Sequence, residues 1–254
     1  MNITNETWDR YSSALEKLDE ITKGKVSDYI ETHDIDSYEG RNQLIEFCYA
    51  LVSTMGEAAA ELACQMYDAV SELEDAFKDF AEPADVASYD DVAKAVNGTI
   101  GNLLRAEITA AAMGRLVKMA AQDTTLKNAI RDQAFFAWIP IGDTCPLCLS
   151  IAAEGWNKAT SKALSGGHAK HIHGNCNCNY AIKHQKTTEY QSYNPAQYQE
   201  VMEQAEGSTE EDRMNSIRRM FYDQNSAKIR AQKRAAYEKR KELDSSEAEE
   251  ISVK

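Results

Sequence analysis

The chain has 254 residues, 43% of them hydrophobic and 27% charged, with 4 prolines, 12 glycines and a formal net charge of −13. That length suits one large domain or two smaller ones, and so few chain-breaking residues argue against a many-stranded β fold and for long helices. No apolar run approaches the ~20 residues of a membrane span, and Met1-Asn2-Ile3-Thr4 does not open a secretory signal, so the expectation is a cytoplasmic protein with no membrane contact, whose six cysteines are thiols or metal ligands rather than disulfides.

In chain order, Thr7–Ile30 reads as a first helix, and Asp34–Gly40 as a loop. A long helix follows, with Leu44, Cys48, Leu51, Met55, Ala58, Leu62, Met66, Ala69, Leu73, Ala76 and Phe80 at steps of three and four. That spacing puts them on one stripe, for packing against another long helix. Cys48 and Cys64 on this helix have no paired ligands nearby and are expected as buried thiols. Glu82-Pro83 should end the helix, because proline cannot continue the hydrogen-bond ladder. A short helix is expected over Asp85–Val96, stopping at Asn97-Gly98. Another should run over Thr99–Ala121, and a further one over Leu126–Trp138. Alternation of the kind that marks strands is hard to find anywhere.

From Ile139-Pro140-Ile141-Gly142-Asp143 the character changes, and glycines, histidines and four cysteines crowd together. Past Tyr193-Asn194-Pro195 comes a short helical stretch. Gly207-Ser208-Thr209-Glu210 then leads, through an N-cap with acidic residues in its first turn, into a basic helix that reaches about Leu243. The expected organisation is mainly α: a helical domain over 1–138, a small loop-rich zinc-binding module over 139–193 and a C-terminal helical tail over 194–254. Charge divides the chain as well. Residues 1–92 hold 22 acidic and 6 basic side chains, whereas 213–241 hold 10 basic and 2 acidic ones. An acidic front and a basic tail are expected to meet different partners.

Cys145-Pro146-Leu147-Cys148 is a C-x-x-C, which alone fits a metal turn or a thiol redox site. The later run His171-Ile172-His173-Gly174-Asn175-Cys176-Asn177-Cys178 decides for metal, since thiolates and imidazole in two short turns suit tetrahedral Zn²⁺. Cys145 and Cys148 form the first pair. The other two ligands come from His173, Cys176 and Cys178. Cys176 and Cys178, two residues apart, are expected to face opposite ways, which favours His173 with one of them. A four-cysteine site with His173 behind it stays open, and His168 and His171 are weaker candidates. Thiolates that close the coordination shell make one structural zinc, and the chain lacks the H-x-E…P-C-x-x-C order of zinc deaminases, a nucleophile elbow and a phosphate-binding glycine loop. The expectation is therefore a protein with no catalytic residues. The alternatives are a zinc-dependent nuclease using His171 or His173 with Asn175, and a zinc-containing nucleic-acid-binding protein.

The run Asp143-Thr144-Cys145-Pro146-Leu147-Cys148, then Gly155, then His173-Gly174-Asn175-Cys176-Asn177-Cys178 resembles the minor capsid, or head morphogenesis, proteins of tailed bacteriophages in the group similar to the phage Mu F protein. Their pattern is Asp-x-Cys-x-x-Cys, a glycine after a short helix, and His-x-Asn-Cys-x-Cys. Gly174 stands where proline or alanine is usual. The tail Ile229–Lys241 is also similar, and the detailed match covers Phe135–Lys254. The resemblance implies a virion structural protein present in few copies at the portal vertex of the head, assembled in the host cytoplasm with portal and capsid proteins as partners. The basic helix would contact DNA or an acidic protein surface.

Overall fold

The computed structural model describes residues 2–76, 79–102, 104–141, 145–161, 178–209 and 211–223, and helical positions scattered from 226 to 241. It is mainly helical, in two compact units, Met1–Gln199 and Glu200–Lys254. The described residues of 139–193 lie in the first unit with the helices.

In the first unit, strand β1 (Asn2–Ile3) leads into helix α1 (Asn5–Thr32), capped by Thr4, whose hydroxyl accepts the Thr7 amide proton at 3.3 Å. α1 buries Trp8, Tyr11, Leu15, Val26 and Ile30 along one side. Helix α2 (Tyr38–Leu73) starts at the Ser37 cap and buries Leu44, Cys48, Val52, Gly56, Ala59, Ala63, Tyr67 and Val70. The expected stripe is therefore correct as far as Cys48 and then lies one residue off. Leu51, Met55, Leu62 and Met66 are half-buried beside the core, and Leu73 is exposed. The small residues face inward because α4 (Arg105–Arg131) packs closely along α2 and α1, in the two largest interfaces of the unit. α4 is buried on nearly every side, from Ala106 to Ala129.

α2 stops before the expected proline. Asp75 takes a left-handed φ of 52° and the Ala76 amide turns back to Ser71 O at 2.9 Å, a Schellman-like close. The chain after it is a strap along α4, and α4 supplies most of the partners its backbone needs, with Asp68 of α2 accepting the Ala81 amide proton at 2.8 Å. Asn128 accepts the Glu82 amide proton at 2.9 Å and donates to Glu82 O at 2.8 Å, Thr124 accepts from the Ala84 amide, and Arg131 donates to Phe80 O. Helix α3 (Tyr89–Thr99) begins later than expected, at a Ser88–Asp91 capping box, and runs through Asn97-Gly98. The expected break near Ala121 is absent, since α4 continues to Arg131.

The expected helix over Leu126–Trp138 is corrected at its second half. Gln133, with φ 55°, turns the chain into strand β2 (Phe135–Ile139). β2 is the middle of a three-stranded sheet, antiparallel to β3 (Asn157–Lys158) and to β4 (Asn179–Lys183), with Trp138 opposite Tyr180. Helix α5 (Pro146–Ala153) packs on β2. β5 (Glu189–Tyr190) pairs in parallel with β1, and helix α6 (Pro195–Glu203) follows. All five β4 residues are buried, so neither face shows the polar alternation that reveals a strand.

Candidate metal centre

The turn expected to supply the first metal ligands is a helix start. Cys145 is the N-cap of α5 in extended conformation, Pro146 occupies the first turn without losing a needed hydrogen bond, and the Cys145 sulfur accepts the Cys148 amide proton at 3.4 Å. The C-x-x-C spacing thus puts both cysteines in the first turn of one helix. Cys148 is buried and Cys145 half-buried. The far end of α5 is fixed too. Gly155 has φ 73°, the left-handed conformation that glycine adopts without strain; Tyr193 donates to Ala152 O at 2.6 Å; Gln199 donates to Ala153 O at 2.9 Å.

Cys178 stands immediately before β4, buried, and its carbonyl accepts from the Gln122 side chain of α4 at 3.1 Å. His173 and Cys176, with His168, His171 and Asn175, lie outside the described residues. The ground for choosing between Cys176 and Cys178 does need correction, because residues two apart along an extended strand share a face rather than opposing each other. Among the described residues no three histidine, cysteine or acidic side chains gather at one point, and the described cysteines form no disulfide with one another. The described part of the expected centre is therefore its first turn, with Cys178 fixed at the start of β4.

Other buried polar groups surround this strand. Gln122 Oε1, Trp138 Nε1 and the Tyr180 hydroxyl are buried without a partner among the described residues. Burial above all, then the charges of Asp123 and Glu154, keeps Tyr180 protonated. Beyond β4, two buried charges of opposite sign hold the turn to β5. Glu74 Oε2 accepts from the amides of His184 and Gln185, while Lys183 donates to Lys186 O at 3.1 Å and Thr188 O at 2.8 Å and lies 4.6 Å over the Trp156 ring. Burial first lowers the Lys183 pKa, against the opposing charges of Glu74 and Glu189. Sequence reasoning missed Gln122 and Glu74 because each acts across more than fifty residues of chain, where no local pattern reaches. The two cysteines of α2 match their expectation: both are buried, and desolvation raises the Cys48 thiol to about 12 and, with Glu61 and Asp68 adding to it, the Cys64 thiol to about 11.

The model of one protein family, described as VG15 protein, matches residues 2–205, most of the chain. No curated protein and no solved structure matches it.

Proposed function

The chain belongs to the VG15 protein family, a phage-associated one, and from that premise we propose that it is a minor structural protein of a bacteriophage head, acting near the portal vertex and held together by one structural zinc ion. Family membership supports the phage assignment. The resemblance of Cys145–Cys178 to head morphogenesis proteins supports the role in the head. The observation that supports the metal is the turn at α5, where Cys145 caps the helix that carries Cys148 and accepts its amide proton, at a helix tied down at its far end.

Zinc fits this donor set. Cys145 and Cys148 would supply one half of a tetrahedron, and His173 with Cys176 or Cys178 the other. A bound zinc would cross-link two loops of the chain. The portal and the capsid are the partners this role requires, the virion head is where the protein would reside, and nothing in the role calls for catalysis.

Purified particles, treated with nuclease and banded on a gradient, should contain the protein in few copies relative to the major capsid protein, and the isolated protein should carry about one equivalent of zinc by elemental analysis. Absence from intact particles would overturn the head assignment. Cleavage of plasmid DNA by the zinc-loaded protein, abolished in His173→Ala, would replace it with the nuclease.

A further inference from the structure

The C-terminal helix has two unlike halves. A capping box starts it: Thr209 Oγ1 accepts the Asp212 amide proton at 3.1 Å, and Asp212 accepts from the Thr209 amide at 3.3 Å. Over 211–221 it has an inner side. Ile217 is 1% and Ser216 6% exposed, Met214, Met220 and Phe221 are half-buried, and Ser216 Oγ accepts the Glu206 amide proton at 3.0 Å. Arg213 donates to Gly207 O and Arg218 to Asn215 in this half, and in the distal half Arg230 donates to Ser226 O at 3.2 Å and to Ser226 Oγ at 3.1 Å, bonds that a phosphate would have to replace.

Past Phe221 every described residue up to Lys241 is helical, and all except the half-buried Ser226 are exposed, Ala231 and Tyr237 included. A helix whose described positions are exposed and whose charges are mostly of one sign is marginal in water. Arg230, Arg234, Tyr237 and Lys241 follow one another at steps of four, three and four, which aligns them on one face over about 16 Å at a 1.5 Å rise. No described cation of the unit Glu200–Lys254 is ion-paired within it, although that unit also contains acidic residues.

We propose that this distal face, Arg230–Arg234–Tyr237–Lys241, is a contact for the phosphate backbone of nucleic acid, read without sequence preference. Cations one helical turn apart can follow successive phosphates, and the guanidinium is the side chain that meets a phosphate with two parallel hydrogen bonds. A tyrosine interleaved among cations adds a stacking surface of the kind used on unpaired bases. The proximal half anchors the helix and the distal half binds. The inference deepens the head-protein reading and rests on it for one point, that DNA is the polyanion at hand.

The test is fluorescence anisotropy with the full-length protein and a random-sequence 30-base-pair duplex, from 50 to 200 mM salt. The triple variant R230Q/R234Q/K241Q is compared with R213Q/R218Q/R219Q, which removes the same charge from the proximal half. The distal variant should bind at least tenfold more weakly at 50 mM, and the slope of log affinity against log salt should shrink by about 2.7, at ~0.9 for each phosphate left unneutralised. The proximal variant should change both less, and the distal variant should unfold at the wild-type temperature. Far-UV circular dichroism should show helix gained when DNA is added. Equal losses in the two variants, no wild-type binding at 50 mM, or displacement of DNA by polyglutamate at equal charge would overturn the proposal, the last in favour of an acidic protein surface. Absence of the protein from phage particles would sink the head reading and leave a positive binding result standing.

Discussion

Asp19 is the buried charge on which the contact between α1 and α4 turns. It is 2% exposed, and its Oδ2 accepts from Lys23 at 2.7 Å and from the equally buried Lys118 of α4 at 2.9 Å. Its Oδ1 has no hydrogen-bond partner among the described residues and lies against Gly114, where a Cβ would come within 2.0 Å of it. Glycine at 114 is thus required by close approach, not by backbone conformation. Removing Asp19 takes the carboxylate away from a buried ammonium, so Asp19→Ala should cost about 3–5 kcal/mol in urea unfolding, whereas the double change Asp19→Leu/Lys118→Met should recover much of that loss. An additive double mutant would show that the pair is not coupled. Asp132 supplies a pH test. Burial works against its ionisation, but hydrogen bonds from Arg131 and Tyr67 outweigh it and hold the carboxyl below the ordinary carboxylate range. A depressed folded-state pKa gives stability that is present above the unfolded-state value and lost as pH falls through the folded one. Stability of the wild type should therefore drop more steeply below about pH 4 than that of Asp132→Asn, and parallel acid-unfolding curves would refute the assignment.

At the scale of elements, what could be read from the sequence depended on whether the periodic signal was local. α1, with its apolar residues at steps of three and four, is found where the pattern put it, within two residues at each end. In α2 the expected stripe of leucines and methionines runs beside the one that is buried, Val52, Gly56, Ala59, Ala63, Tyr67 and Val70. Hydrophobicity favours the first, but close helix packing chose the second, because the small side chains let α4 approach. The strap after α2 was invisible because its partners, Thr124, Asn128 and Arg131, sit on α4 and look like ordinary polar helix residues. Phe135–Ile139 is a short apolar run, which periodicity cannot separate from a buried helix. Asn128 tests the strap directly. It is 1% exposed and closes both polar groups of Glu82. Asn128→Ala should cost about 1–2 kcal/mol, since it removes two half-buried hydrogen bonds to the backbone of the exposed Glu82. It should also speed hydrogen exchange at the Glu82 and Ala84 amides while leaving the amides of α1 protected. Unchanged exchange at Glu82 would mean that the strap is held by other contacts.

At the scale of the whole molecule, the sequence made the cysteine-rich stretch look like a module apart, because its composition changes abruptly at Ile139. The described residues of that stretch are joined to the helices by hydrogen bonds. β2 and β4 lie in the same compact unit as the helices, Gln122 of α4 holds the carbonyl of Cys178, and Glu74 at the end of α2 holds the turn after β4. The consequence concerns what happens when the proposed zinc is removed. An independent zinc module would unfold alone and leave the bundle intact. A metal that cross-links loops inside a shared unit is coupled to all of it, and a structural zinc can contribute on the order of 10 kcal/mol of apparent free energy, comparable with the whole stability of a domain. Chelation, or Cys148→Ser, should therefore release about one equivalent of zinc and lower hydrogen-exchange protection in β2 and β4. It should do the same in the second half of α4 and, through the Asp19–Lys118 contact, in α1. The C-terminal unit beyond Gln199 should keep its exchange behaviour. Loss of protection confined to 139–193, with α1 and α4 untouched, would show that the stretch is energetically a module after all, despite the hydrogen bonds that join it to the helices.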